Sequence, residues 1–149
     1  MIVYKSVKEI EKMREAGAIV KKTLDMLSEN IKPGMTTAEL DNLADDIIRS
    51  QGGIPSFKGY NGFPANICTS INDEVVHGIP GNRRIEEGQV IGIDVGVYKD
   101  GYHGDGAWTF AVGEVDDETR RLLEVGEQCL EKAIKAVRIG NFIGDVSYA

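Results

Sequence analysis

The residues with the clearest potential for chemistry lie between His77 and Asp105. This stretch contains both histidines of the chain, His77 and His103, and two aspartates, Asp94 and Asp105, placed among Val, Ile, Gly and Ala. Carboxylates are rarely buried in such surroundings unless they are paired or bind a metal ion. The pattern is compatible with a carboxylate pair that shares a proton, with a divalent-metal site, or simply with two solvated surface aspartates.

Strand alternation predicts that the two aspartates share one face of a β-hairpin. Asp94 lies in the run "VIGIDVGVY", where its face also carries Gly92 and Gly96 and therefore leaves room beside the carboxylate. A turn at residues 99–100 would place Asp94 opposite Asp105, whereas a turn at residues 100–101 would make them diagonal neighbours. The opposite face of the strand consists of Ile91, Ile93, Val95 and Val97 and is predicted to pack in the core.

Two like charges on one face destabilise a sheet unless a proton or a cation lies between them. Because the catalytic loops of aspartic proteases are absent, the pattern favours a divalent metal ion. Such an ion takes four to six ligands, usually with a histidine among them. His103 lies ~6.6 Å along the strand from Asp105 and is awkwardly placed for the same ion. The predicted site is therefore incomplete, and a Cys68–His77 dyad is a weaker alternative because no third group orients it.

Two helices are predicted at the N-terminus, each beginning with a capping box, Ser6 to Glu9 and Thr36 to Glu39. They are expected to pack as a hairpin. The apolar stripe of the first consists of Ile10, Met13, Gly17, Val20, Leu24 and Leu27. The stripe of the second consists of Leu40, Leu43, Ala44, Ile47 and Ile48.

The middle of the chain has the character of a β-sheet, with an ordered aromatic loop over residues 55–64. The predicted strands cover residues 65–71, 74–78, 90–98 and 102–112. A third long helix begins at Asp116 or Asp117 and ends near Gly140, followed by a connection into another helix. Its predicted inner face consists of Leu122, Leu123, Gly126, Cys129, Leu130, Ala133, Ile134 and Val137. The predicted fold class is α+β.

Composition narrows the class of partner. The chain has 149 residues, a formal net charge of −7 and no basic run, which argues against nucleic acid or an anionic membrane as a partner. Neither a membrane span of ~20 apolar residues nor a signal peptide is recognisable. Two isolated cysteines are typical of a reducing compartment, so a cytoplasmic, soluble protein of one domain is expected.

The motifs "NDEVVHGIP" and "IDVG…GYHGDGAWTF" resemble those of the type I methionine aminopeptidases of the bacterial kind, in the pita-bread metallopeptidase family. The resemblance implies an N-terminal part only: a truncated domain over residues 1–149, without the second half that pseudo-twofold symmetry relates to the first. It implies half of a pita-bread fold, with two N-terminal helices, a curved antiparallel sheet containing a hairpin, and a third long helix. The implied activity is metal-dependent removal of N-terminal methionine.

The resemblance also assigns the residues nearest to the chemistry. Asp94 and Asp105 match the ligands of two divalent metal ions, Co, Mn, Fe, Zn or Ni, and Asp105 matches the ligand that bridges them. His77 matches a catalytic histidine that contacts the substrate amide and stabilises the transition state. The missing second half would supply the other ligands and the general base, so the isolated chain is expected to show little activity.

Further residues match the substrate pocket and an ion site. Tyr60, Phe63 and Cys68 match part of the pocket for the methionine side chain, and Asn72 and Glu74 match a stretch that helps bind a monovalent cation. The implied partners are a peptide or nascent protein that begins with Met, and the ribosome. An exposed half-interface would also permit a homodimer. The competing interpretation is a non-catalytic half pita-bread module that binds a partner or a metal.

Overall fold

The protein is described by a computed structural model that covers residues 2–149. It forms two compact units, one up to Glu114 and one over Val115–Ala149. The elements of the first unit are α1 (Val7–Asn30), α2 (Thr37–Ser50), β1 (Ile54–Pro55), a 3-10 turn (Tyr60–Gly62), β2 (Ile67–Ile71), β3 (Val90–Lys99) and β4 (Tyr102–Ala111). The second unit contains α3 (Asp117–Ala136) and α4 (Ile143–Tyr148). The α+β class is confirmed.

Both predicted capping boxes are present. The Ser6 side chain accepts a hydrogen bond from the Glu9 amide, and the Glu9 carboxylate accepts one from the Ser6 amide at 2.7 Å. Thr36 and Glu39 make the same reciprocal pair at the start of α2. Each box satisfies amide groups that have no partner inside the helix, and so fixes where the helix begins.

The predicted buried face of α1 is wrong in its N-terminal part. Ile10 and Met13 are 45% and 39% exposed. The predicted residues Val20 and Leu27 are buried, together with Ala16, Ile19 and Thr23, which were not predicted. The cause is a close approach to β4, because a Cβ added at Gly104 would lie 2.6 Å from the backbone of Ala16. The helix therefore turns its small residues toward the strand.

The strand β3 forms the centre of the sheet. β4 pairs antiparallel along its whole length, while β2 and β1 pair with successive parts of its other edge. The predicted core face of β3 is confirmed, since its apolar side chains are fully buried. They form one cluster with residues of α1, α2 and β2. The predicted stripe of α2 contributes Leu40, Ala44 and Ile48 to this cluster.

The strand predicted over residues 74–78 is wrong, because this segment is a loop between β2 and β3. Asn72 and His77 have φ values of 54° and 61°, in the left-handed region that an extended strand excludes. The short strand β1 was not predicted. It pairs Ile54 with Tyr98 and leads directly into the aromatic loop.

In the second unit the predicted helix is confirmed and begins at its N-cap, Asp116. Its predicted inner face, however, is not buried: no residue of α3 is, and Leu122, Ile134 and Val137 are 70%, 61% and 69% exposed. An apolar stripe shows that a face is suited to burial but does not identify its partner. No helix within residues 2–149 is long and apolar enough to span a bilayer.

Candidate metal centre and substrate pocket

The hairpin register brings the two predicted aspartates together. Asp94 pairs with Ala107 and Asp105 pairs with Gly96, so the carboxylates are diagonal neighbours on one face. The turn uses Asp100 and Gly101, both with positive φ, as a two-residue hairpin turn requires. This is the second of the two registers that the sequence allowed.

Asp94 has a carboxylate oxygen that is not satisfied by a hydrogen bond within residues 2–149. Its Oδ1 is buried and has no hydrogen-bond partner among the residues that the structure describes. Burial, and secondly the charge of Asp105, raise the pKa of the Asp94 carboxyl above its usual value. A buried carboxylate oxygen without a partner, beside a second carboxylate, is suited to binding a cation.

Cys68 lies directly across from Asp94 on β2. Burial, followed by the charges of Asp94 and Asp105, raises the pKa of the Cys68 thiol to about 11. At neutral pH the group is therefore a neutral thiol, which makes it a poor nucleophile. This environment does not support the alternative of a Cys68–His77 catalytic dyad. It supports a role for Cys68 in the apolar wall of a pocket.

A cavity of about 480 Å³ opens over this face of the hairpin. Its lining includes all the residues predicted for the site, namely Tyr60, Phe63, Cys68, His77, Asp94 and Asp105. The structure thus brings together side chains from the aromatic loop, β2, the loop after β2 and the hairpin. His103 is not in the lining, and its Nδ1 lies 2.8 Å from the Ser56 hydroxyl.

Phe57 also lines the cavity and was missed from the sequence. Its ring lies over Gly96, where an added Cβ would come within 2.4 Å of Phe57 Cε1. It also packs edge-on against Phe63, with ring centroids 6.5 Å apart. The available signal was the glycine at position 96, which leaves space on the strand for a neighbouring ring.

His77 reaches the cavity from an unusual backbone position. It has a left-handed φ of 61°, and the next residue, Gly78, is held against β2. The Thr69 amide donates to the Gly78 carbonyl at 2.8 Å, and the Gly78 amide donates to the Ser70 hydroxyl at 3.3 Å. A Cβ at Gly78 would lie 2.0 Å from the Thr69 carbonyl oxygen, so a side chain there would break this contact.

The two residues predicted near a monovalent cation lie outside the cavity lining. Asn72 Oδ1 accepts a hydrogen bond from the Val90 amide at 3.1 Å. The Glu74 carboxylate accepts hydrogen bonds from Arg83 and from the Ile71 amide, and the Arg83 guanidinium lowers the pKa of Glu74. Both side chains already have protein partners.

The set of metal ligands is small. Within residues 2–149, no group of three or more His, Cys, Asp or Glu side chains is arranged to hold one ion. The two aspartates fit a divalent cation by charge and because Oδ1 of Asp94 has no partner among the described residues. They fall short of the four to six ligands that such ions take.

Comparisons with known proteins assign the chain to a protein family. The model of metallopeptidase family M24 matches residues 11–149. Methionine aminopeptidase 1 of Bacillus subtilis is 49% identical over 149 residues, which is all of this chain and 60% of that protein. The methionine aminopeptidase of Clostridium acetobutylicum is 51% identical over 150 residues, again 60% of that protein.

The crystal structure of methionine aminopeptidase from Thermotoga maritima superposes with a TM-score of 0.96 at 40% identity, covering 99% of this chain and 60% of that one. The expected pita-bread fold of such enzymes is thereby confirmed. The chain spans about 60% of the length of these relatives. It belongs to metallopeptidase family M24.

Proposed function

We propose that this chain is part of a methionyl aminopeptidase, which removes the N-terminal methionine from peptides and nascent proteins with the help of divalent metal ions. The observation that carries the proposal is the convergence of Asp94, Asp105 and His77 on one cavity, where a buried oxygen of Asp94 has no partner among residues 2–149. The relatives named methionine aminopeptidase, at 49% and 51% identity, support the choice of reaction.

Asp94 and Asp105 would be ligands of the divalent metal ions, Co, Mn, Fe, Zn or Ni. A bound divalent ion would supply Lewis-acid activation of the scissile carbonyl and of water. His77 would donate a hydrogen bond to the substrate amide, where charge shifts in the transition state. Further ligands and the general base would come from outside residues 2–149, because the described residues offer no larger ligand group.

Tyr60, Phe63 and Cys68 would bind the methionine side chain. The cavity volume of about 480 Å³ is within the range of small-molecule pockets. Its aromatic rings and its neutral thiol suit a thioether, because methionine sulfur makes favourable contacts with aromatic rings. Tyr60 lines the cavity and is 70% exposed, so its ring is accessible to a substrate.

The proposal extends to the location of the protein, to a further ion and to its oligomeric state. A cytoplasmic location agrees with two free cysteines, and ribosome association would give access to nascent chains. A monovalent cation near Asn72 and Glu74 would share oxygens that already bond the Val90 amide and Arg83. A homodimer would use apolar side chains that are now exposed.

One observation favours a second function. The described residues offer no group of three metal ligands, which is what a non-catalytic module that binds a partner would show. Activity separates the two functions. The domain would in either case be the first part of a pita-bread unit over residues 1–149.

The decisive experiment measures release of methionine from a Met-Ala-Ser peptide in the presence of Mn²⁺. The 149-residue chain should show little turnover, and a protein extended by the second half of a methionine aminopeptidase should be active. In that extended protein, His77→Ala should lower kcat by roughly 10²-fold, the scale for losing one transition-state donor. His103→Ala is the matched control, since this histidine lies outside the cavity lining. An inactive extended protein, or a His77→Ala variant with normal kcat, would contradict the proposal.

A further inference from the structure

The loop that contains His77, residues 72–85 (the His77 loop), is attached to the fold at both ends. At its start, the Asn72 amide donates to the Val90 carbonyl at 3.0 Å. Toward its end, the Gly81 amide donates to the Thr37 hydroxyl at 2.8 Å, and the Thr37 amide donates to the Arg83 carbonyl at 3.0 Å. β3 and the N-terminus of α2 therefore fix where the loop leaves and rejoins the fold.

The middle of the His77 loop has fewer attachments and a strained residue. Val75, Val76 and Ile79 are 89%, 62% and 62% exposed, so apolar packing does little to hold this segment. His77 has a φ of 61°, which costs free energy in a residue with a Cβ and persists only when neighbouring contacts enforce it. The contacts of Gly78 with Thr69 and Ser70 are one such restraint.

The second restraint is the ion pair between Glu74 and Arg83, which connects the two arms of the loop. Two guanidinium nitrogens of Arg83 donate to the two carboxylate oxygens of Glu74, one at 2.7 Å. The same carboxylate also accepts from the Ile71 amide at 2.8 Å, at the end of β2. Arg83, Glu74 and β2 thus form one chain of charge-assisted hydrogen bonds, and a forked arginine pair fixes geometry as well as charge.

The exposure of this ion pair argues against a large role in overall stability. The side chains of Arg83 and Glu74 are 50% and 38% exposed, and surface pairs contribute little to the free energy of unfolding. Their location is more informative than their strength, because His77 lies between them in the sequence. Closing the arms of the loop restricts the backbone that carries His77.

We propose that Glu74 and Arg83 are positioning residues that hold His77 in its orientation toward the cavity. The inference deepens the proposed function, because it rests on His77 as the group that contacts substrate. Its structural part can be tested without any activity, since loop opening is measurable by itself. Neither Glu74 nor Arg83 lines the cavity, so both act through His77 rather than by touching substrate.

The structural test is amide hydrogen exchange in the chain as it stands. The Thr69 and Gly78 amides report loop docking, because both are bonded across the contact between the loop and β2. Arg83→Gln and Glu74→Gln should each speed exchange of these amides roughly three- to tenfold, as expected for a bidentate pair at the surface. The double variant should exchange no faster than either single variant, because each single change already breaks the pair.

The matched control is Arg49→Gln, which removes the exposed Arg49–Asp45 pair on α2 and should leave both amides unchanged. Arg83→Lys keeps the charge without the fork, so it should recover only part of the protection. Unchanged exchange of Thr69 and Gly78 in Arg83→Gln would overturn the proposal. Additive effects of the two substitutions would overturn it as well.

The functional test uses the extended protein of the preceding section. Arg83→Gln should lower kcat by roughly tenfold and leave KM within about twofold, because the methionine pocket is untouched. In a His77→Ala background the same substitution should cause no further loss, since it acts through His77. An equal loss in that background would show that Arg83 supports the fold instead. A wholly inactive extended protein would end the proposed function, whereas the exchange data would still decide the role of the ion pair.

Discussion

At the scale of single residues, the feature that most needs explanation is the buried Oδ1 of Asp94, which has no partner among the described residues. Leaving such an oxygen unpaired is costly, and the diagonal neighbour Asp105 adds repulsion. The space over Gly96 is filled by the Phe57 ring, so the open space beside the two carboxylates is the cavity that they line. The arrangement is understandable if a cation occupies that space.

We therefore expect Mn²⁺ to bind the chain weakly through Asp94 and Asp105, because two carboxylates make an incomplete site. Isothermal titration calorimetry should detect this binding in the natural sequence and lose it in the Asp94→Asn, Asp105→Asn variant. The charge-matched control is Asp73→Asn, Asp100→Asn, which removes two exposed aspartates outside the cavity lining. Equal Mn²⁺ affinity in all three proteins would refute the assignment.

A second residue-scale prediction concerns the space above β3. A Cβ at Gly96 would lie 2.4 Å from Phe57 Cε1, whereas the nearest atoms to a Cβ at Gly92 are 3.7 Å away. Gly96→Ala should therefore displace Phe57 and lower the free energy of unfolding by about 1–3 kcal/mol, the usual cost of overpacking. Gly92→Ala, on the same face of the same strand, should cost much less. Urea denaturation distinguishes the two variants. Equal midpoints would show that Phe57 moves aside without a loss of stability.

At the scale of elements, the docking of α1 on β4 depends on backbone contact rather than on large side chains. A Cβ at Gly104 would lie 2.6 Å from the backbone of Ala16, which cannot move without shifting the helix. Gly104→Ala should lower the free energy of unfolding by at least about 2 kcal/mol. Gly17→Ala is the informative contrast, because nothing lies within 4 Å of its added Cβ. It should stabilise the protein by about 0.5–1 kcal/mol through helix propensity. Thermal unfolding of the two variants in the same direction would contradict this packing.

The start of α1 supplies a pH-dependent prediction. Hydrogen bonds from the Ser6 amide, the Ser6 hydroxyl and the Tyr102 hydroxyl lower the pKa of Glu9 from 4.5 to about 2. A pKa depressed in the folded state means that the contribution to stability is complete above pH 4.5 and is lost as the pH falls toward 2. The melting temperature of Glu9→Gln should thus fall a few degrees below that of the natural sequence at pH 7, and the gap should close near pH 2. Glu29→Gln, on the same helix away from the cap, should show no such gap. A gap that is constant across this pH range would assign the effect to packing instead of charge.

The elements also show which features a sequence can and cannot predict. The capping boxes of α1 and α2 and the core face of β3 depend on residues near each other in the chain, and all were predictable. The hairpin that brings Asp94 near Asp105 was predicted too, but the sequence left two turns open, at residues 99–100 and 100–101. The buried face of α1 was not, because it depends on a glycine in β4, far along the sequence. The loop over residues 74–78 looked like a strand, because its valines favour strands while the left-handed φ of His77 is set by distant contacts. Phe57 was missed for the same reason, since its place over Gly96 is a tertiary contact.

At the scale of the whole molecule, the feature that most needs explanation is the apolar surface exposed to solvent. Leu122 and Ile134 of α3 and its C-cap Val137 are more than half exposed, and so are Val75, Val76 and Ile79 of the His77 loop. Within residues 2–149, no strand pairs with the outer edge of β4. Exposed apolar side chains and unpaired strand edges recruit other chains. The chain spans about 60% of the length of its relatives. We expect these exposed surfaces to bind another chain in solution.

From the pseudo-twofold symmetry implied by the pita-bread resemblance, we expect one partner in particular, namely a second copy of this chain. Two copies related in this way would direct Asp94 and Asp105 of each protomer into one cavity, where their like charges would repel. Mn²⁺ should therefore favour the dimer by binding between the carboxylates, and a chelator should weaken it. Sedimentation velocity at tens of micromolar protein, with and without Mn²⁺, measures this shift. The Asp94→Asn, Asp105→Asn variant provides the control, because its dimer should lose the dependence on Mn²⁺ and need no cation to offset repulsion. A monomer under all conditions would show that the exposed surface is protected, and a dimer indifferent to Mn²⁺ in both proteins would place the interface away from the aspartates.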